Sequence, residues 1–229
     1  MRRIFLLSPA STFGRRAQIL FNEKAAFPLA VALRSGGISV GEAFSFLSGL
    51  YFRGKLAYAR AFAATSDGAG SLEGGAIFVI TPNSGLQAPD TMVTAATLRE
   101  FAGIDVSPDN PAYRRPLERS AASLAANIGA ERPVVLLGSI ASSKYVAVLE
   151  SIFGARLLFP QEFVGRGDMS RGGLLLRSVA AGQQLTYVPV AGAVRHGQRP
   201  PKLDPKTRPT MARAQSGGDS RVRIGDSSR

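Results

Sequence analysis

The 229-residue chain has no cysteine and only one histidine, His196. Without thiols it has neither a disulfide scaffold nor a thiolate zinc site. One imidazole supplies no histidine metal cage and leaves a Ser/His/Asp triad nearly impossible. Any chemistry therefore falls to carboxylates, hydroxyls, amides, lysine, arginine and backbone N–H groups, and no motif in the chain requires a metal or a cofactor. Long apolar runs are also missing. None approaches the roughly 20 residues of a membrane span, and the opening apolar run stops at Leu7, too short for the core of a signal peptide. These shortages predict a cytoplasmic protein that does not engage a membrane. Acidic residues are scarce as well: 16 Asp and Glu stand against 28 Lys and Arg, a net charge of +12. A field of that sign attracts polyanions and speeds their encounter, so nucleic acid is the expected partner, DNA before RNA.

The chain does have enough apolar residues, 45%, to bury one core. Ile4 to Leu7, Ala76 to Thr81, Pro133 to Leu137 and Ala155 to Phe159 are short, continuously apolar segments of the kind buried in a parallel sheet. Between them lie helical spacings: Glu42 to Ala64, interrupted by Gly49 and Gly54 and readable as two helices, then Thr94 to Ala102, Arg114 to Gly129, Ser142 to Phe153 and Ser170 to Ala181. Thr65 to Gly75 reads as a loop, and Gln184 to Pro189 as an added edge strand. Strands alternating with helices predict a three-layer, Rossmann-like α/β sandwich around a mostly parallel sheet of four to five strands. Beyond Ala193 the apolar periodicity stops. From Arg195 onward nine basic residues face three acidic ones, so residues 1–193 are expected to form the domain and 194–229 a disordered basic tail.

In open parallel sheets ligands bind beyond the carboxyl ends of the strands, so the candidate residues are sought there. After the first strand comes a hydroxyl-rich turn with Ser8, Arg15 and Arg16, two guanidinium groups suited to phosphate. After the second come Asn83, Ser84 and Asp90, with Asn83 placed to read a base edge; the same Asn-Ser-Gly string also makes a tight turn unaided. After the third come Gly138, Ser142 and Lys144, hydroxyls and a cation at the start of a helix, where anions are favoured. The Gly-Lys-Ser/Thr ending of a nucleotide-binding loop is missing. Neighbouring Ser143, Lys144 and Tyr145 do not face one another on a helix, so no catalytic pair is read among them. After the fourth strand come Glu162, Gly165, Arg166, Gly167, Asp168 and Arg171. Here glycines permit close backbone approach, arginines suit phosphate, and two carboxylates are available to activate water or stabilise a cationic transition state. Tyr51 and Lys55 interleave aromatic and basic character as stacking plus phosphate contact would require, although tyrosines at helical spacing, as Tyr51 and Tyr58 are, more often belong to a core.

Several of these segments carry a resemblance. Leu50-Tyr51, Leu56 and Tyr58-Ala59, then Ile80 to Asp90 with its Ser-Gly-Leu and Pro-Asp, and finally Gly165 to Gly173 ahead of a helix resemble an uncharacterised bacterial Rossmann-like α/β family. That family is similar to a domain of archaeosine synthases and, distantly, to uracil-DNA glycosylase-like folds. The resemblance implies an activity directed at a nucleobase. This chain departs from it in having Ser8 and Arg15-Arg16 where a Cys and Lys-rich turn is common, and in lacking the histidine of several glycosylases.

The leading expectation is an enzyme acting at a base of nucleic acid, a DNA N-glycosylase that excises a damaged or modified base in repair or antiviral defence. Asp168, Glu162 and Asn83 would be its catalytic residues and Tyr51 its stacking platform. Two alternatives stay open: a non-catalytic nucleic-acid or nucleotide-binding module, and a small-molecule nucleoside or nucleotide enzyme.

Overall fold

The computed structural model describes residues 3–63 and 75–201. In chain order its elements are β1 (Ile4–Leu7), α1 (Arg15–Phe21), α2 (Pro28–Ser35), β2 (Ile38–Ser39), α3 (Val40–Ser48) and α4 (Leu50–Ala63), then β3 (Ile77–Thr81), β4 (Gly85–Gln87), β5 (Met92–Val93), α5 (Ala95–Ala102) and α6 (Pro111–Asn127). The chain continues with β6 (Val134–Leu137), α7 (Val146–Phe153), β7 (Leu157–Pro160), α8 (Asp168–Ala181) and β8 (Tyr187–Pro189). The main sheet has the order β4-β3-β1-β6-β7-β8. Its four inner strands are parallel and its two edges antiparallel. β2 and β5 pair separately.

β1 and β6 are buried along their whole length on both faces, which explains why they are apolar throughout rather than alternating. Phe5 and Leu7 face a core built with α1 to α5 and Leu175 of α8. Ile4 and Leu6 face the opposite core, formed with α6 and α7. The molecule is thus the expected three-layer α/β sandwich, with six strands in place of four to five.

The additional pieces have local reasons. The turn into β4 depends on Gly85, whose φ is +65 and where any Cβ would meet the Pro116 carbonyl and the Ser120 hydroxyl. A three-residue strand of this kind carries no periodicity to read. α1 buries only Ala17 and Leu20 and has no side-chain cap, and α2 opens on Pro28 at its first turn; neither has a long apolar stripe. The long helical stretch does divide, at Gly49 with φ +64. The helix expected from Ser142 begins only at Val146, which leaves 142–145 as an irregular loop.

Part of the expected tail lies among the described residues. Residues 194–201 are described, with Arg195 paired to Glu150 at 3.3 Å and the Gln198 carbonyl packed where a side chain at Gly165 would sit. Residues 1–2, 64–74 and 202–229 lie outside the described residues, and with them all but the last residue of the segment expected as a loop. Among the described residues, no helix is long and apolar enough to cross a membrane.

Candidate functional site

From β1 the chain crosses to β3 on one side and later returns to β6 on the other. The order therefore reverses between β1 and β6, and a crevice opens at the carboxyl ends of such a pair. In this crevice lies a cavity of about 610 Å³, within the range of small-molecule sites. Five separate segments line it: Ser8 to Phe13 after β1, Leu47 to Tyr51, Ala102 to Val106, Ser139 to Tyr145 after β6, and Asp168 at the start of α8.

Two helices set the wall nearest the sheet. Gly54 of α4 meets Gly172 of α8 so closely that a Cβ on Gly54 would lie 2.8 Å from the Gly172 carbonyl oxygen, and one on Gly172 2.8 Å from that of Leu50. With no side chains between them the backbones touch, and the first turn of α8 is held against Tyr51 and Lys55. Arg171 is buried there. Its Nε donates to the Phe163 carbonyl at 3.2 Å and its Nη1 to Asp168 Oδ1 at 3.3 Å. Asp168 itself remains 68% exposed. The result is an ionisable carboxylate on the cavity rim, oriented by a guanidinium behind it.

The floor contains a second cluster. Lys55 is 1% exposed, and its Nζ lies 2.6 Å from the Ser8 carbonyl oxygen and 2.8 Å from Ser8 Oγ. The rings of Tyr51 and Phe52 flank it at 4.5 and 4.8 Å from their centroids. Burial pushes the Lys55 amine down to about 7; the Asp168 carboxylate opposes the shift and Arg171 adds to it. Across from it, the Tyr145 hydroxyl donates to the Ser139 carbonyl at 2.9 Å. Burial raises the Tyr145 phenol, and the adjoining Ser8 hydroxyl pulls part of that back. Gly138 makes this convergence possible, since a Cβ there would meet the Tyr145 hydroxyl at 2.8 Å and Ser8 Cβ at 2.9 Å. The Tyr51 hydroxyl is buried near Arg171 without closing a hydrogen bond to any described residue. Burial drives its phenol far above the ordinary range.

Of the residues expected from sequence, Ser8, Tyr51, Ser142, Lys144 and Asp168 line this cavity together, and Gly138, Lys55 and Arg171 form its immediate support. Lys55 and Arg171 point inward, so neither presents its charge to an outer phosphate. The others lie elsewhere. Glu162 Oε1 accepts from the Thr186 N–H at 2.9 Å, a tie to the strand β8, and its second oxygen is buried without a partner among the described residues. Asn83 accepts from Ser84 in the β3–β4 turn, which is the tight-turn reading of that string. Asp90 pairs with Arg60 on the surface. Arg16 donates to the Phe46 carbonyl at 2.8 Å, Arg15 is exposed on α1, and Arg166 bonds the Glu162 carbonyl and Ser170. Gly165 and Gly167 shape the entry to α8, Gly167 as its N-cap residue.

Sequence reasoning missed Phe13 and Asp105, and it set Tyr145 aside as a helical residue although the helix begins only at Val146. Phe13 is 72% exposed on the cavity wall, and the signal for it was an aromatic inside an otherwise polar post-strand turn. Asp105 follows no strand, so a search restricted to strand ends passes it by. Among the described residues, no three His, Asp or Glu side chains gather as a metal site. Comparison with sequence-defined protein families, with curated proteins and with solved structures found no match for this chain.

Proposed function

We propose that the protein is a base-directed enzyme of nucleic acid that hydrolyses an N-glycosidic bond, with the target nucleotide turned out of its stack into the cavity between β1 and β6. The observation that carries this reading is Asp168, an exposed carboxylate fixed by Arg171 on the rim of a cavity walled by Phe13, Tyr51 and Tyr145. A carboxylate of that kind orients a water molecule and stabilises the positive charge that develops on the sugar as the base departs. Water's hydroxyl ends on the anomeric carbon and its proton on the released base. Phe13 offers a ring face to stack on an extruded base, which is worth about 1–3 kcal/mol for such contacts. Lys144 on the wall and the net charge of +12 favour the phosphates on either side.

The test is incubation of the protein with unmodified, uracil-containing and phage-modified DNA, with released bases read by mass spectrometry and abasic sites by alkaline cleavage. Base release by the native protein, reduced by roughly 10²-fold or more in Asp168→Ala, is the expected result. DNA binding without release from any of these substrates would overturn the hydrolase and leave a binding module. Release from free nucleosides alone would place the activity on small molecules.

A further inference from the structure

We infer that Ser8 is a nucleophile for acyl transfer, with Lys55 as its general base, so that the cavity also takes a small carbonyl electrophile such as an activated ester. This inference stands apart from base release, for it uses the floor of the cavity rather than the carboxylate on its rim.

The geometry is that of a hydroxyl activated by a neighbouring amine. Ser8 lines the cavity, and its Oγ is 2.8 Å from Lys55 Nζ. The amine is enclosed by Tyr51, Phe52 and the end of β1, with no carboxylate in hydrogen-bond contact. Here the apolar enclosure lowers the amine to about 7, so a share of it is neutral near pH 7, and a neutral amine has a lone pair to accept the Ser8 proton. The charged and titratable groups facing it are Asp168 and Arg171 from α8, Tyr51 on its own helix, and Tyr145 beyond Ser8.

The step balances within these groups. Ser8 Oγ forms a bond to the carbonyl carbon, and its proton passes to Lys55 Nζ, which becomes an ammonium. The carbonyl oxygen takes the electron pair. Pro9 follows Ser8 and has no N–H to offer that oxygen, and the Tyr145 hydroxyl is held by the Ser139 carbonyl, so Lys144 on the same wall supplies the positive charge that meets it. Collapse expels the leaving group with the Lys55 proton and leaves an acyl-serine, which water then hydrolyses to regenerate the hydroxyl.

The experiment uses the full chain with p-nitrophenyl acetate as substrate and an aryl fluorophosphonate as trap, read by intact mass and peptide mapping. A single adduct on Ser8 is expected, absent from Ser8→Ala. Its formation rate should rise with pH through one ionisation near 7. Lys55→Met and Lys55→Arg should both slow it by roughly 10²-fold. The arginine variant retains a positive charge that cannot act as a base, so equal loss in both separates proton transfer from simple charge. Asp168→Asn should move the ionisation to lower pH, because it removes the carboxylate that favours the charged amine. Circular dichroism accompanies each variant, and the native protein's pH profile stands even where a lysine variant fails to fold. Absence of an adduct on Ser8, or equal labelling of Ser8→Ala, overturns the inference. Neither result bears on base release from DNA, which is read separately.

Discussion

Lys55 donates to the Ser8 carbonyl at 2.6 Å from a position that water does not reach, and this arrangement makes the stability of the protein depend on pH. Its folded pKa of about 7 lies below its ordinary 10.5. Between those two values the unfolded chain holds a proton that the folded chain does not, so stability rises with pH across that window. Below it both states are protonated, and above it neither is. Urea midpoints measured from pH 7 to 10 should climb for the native protein, and this contribution should vanish in Lys55→Met. Tyr51 offers the complementary case. Its hydroxyl is buried without a partner among the described residues, and an unsatisfied group of that sort costs about 1–3 kcal/mol. Tyr51→Phe should therefore raise the urea midpoint by about 1 kcal/mol of stability, and should weaken binding of any ligand that engages the hydroxyl. The sequence showed that Tyr51 and Lys55 share a helix with aromatic neighbours. It did not show that the helix turns this face inward, because a lysine at such a spacing is ordinarily found on the solvated side.

Among the helices, the contact that shapes the site is the meeting of α4 and α8. Gly54 weakens the helical pattern when read along the chain; across space it is what lets Gly172 approach. Ala at either position must move a carbonyl now 2.8 Å from its Cβ. Gly54→Ala and Gly172→Ala should each lower stability by about 1–3 kcal/mol and displace Asp168 from Tyr51, with base release falling more than the stability loss alone explains. Thermal melts together with activity at a temperature well below the transition distinguish the two effects. The strands and longer helices were legible because continuous apolar runs and stripes report burial directly. Strands β2, β4 and β5, each two or three residues long, exist through pairing alone. A similar limit applied to Glu162: its distance from Asp168 in sequence is short, but its carboxylate turns to the β8 edge to satisfy Thr186.

At the level of the whole molecule, positive charge is spread over both residues 1–201 and residues 202–229. Residues 202–229 carry seven basic and three acidic side chains. Ending the protein at Pro201 should weaken DNA binding most at low salt and flatten the slope of log K against log salt, since fewer phosphate counterions are released. A titration series between 50 and 200 mM salt measures it, and an unchanged slope would assign the contacts to residues 1–201. The layered architecture was legible from the alternation of strands and helices, and a cavity does lie at the strand ends where the candidate residues were sought. Which ends come together was not, because that depends on strand order. That order has one more effect. A line drawn between β1 and β6, and continued between α4 and α8, divides the described chain into an earlier portion and a later one joined near Gly129, and the cavity lies on this line with walls from both sides. Anything that fills it acts as mortar between two halves that must be assembled before it can bind. A true ligand will therefore announce itself by a higher melting temperature, growing with its concentration, even before any reaction is known.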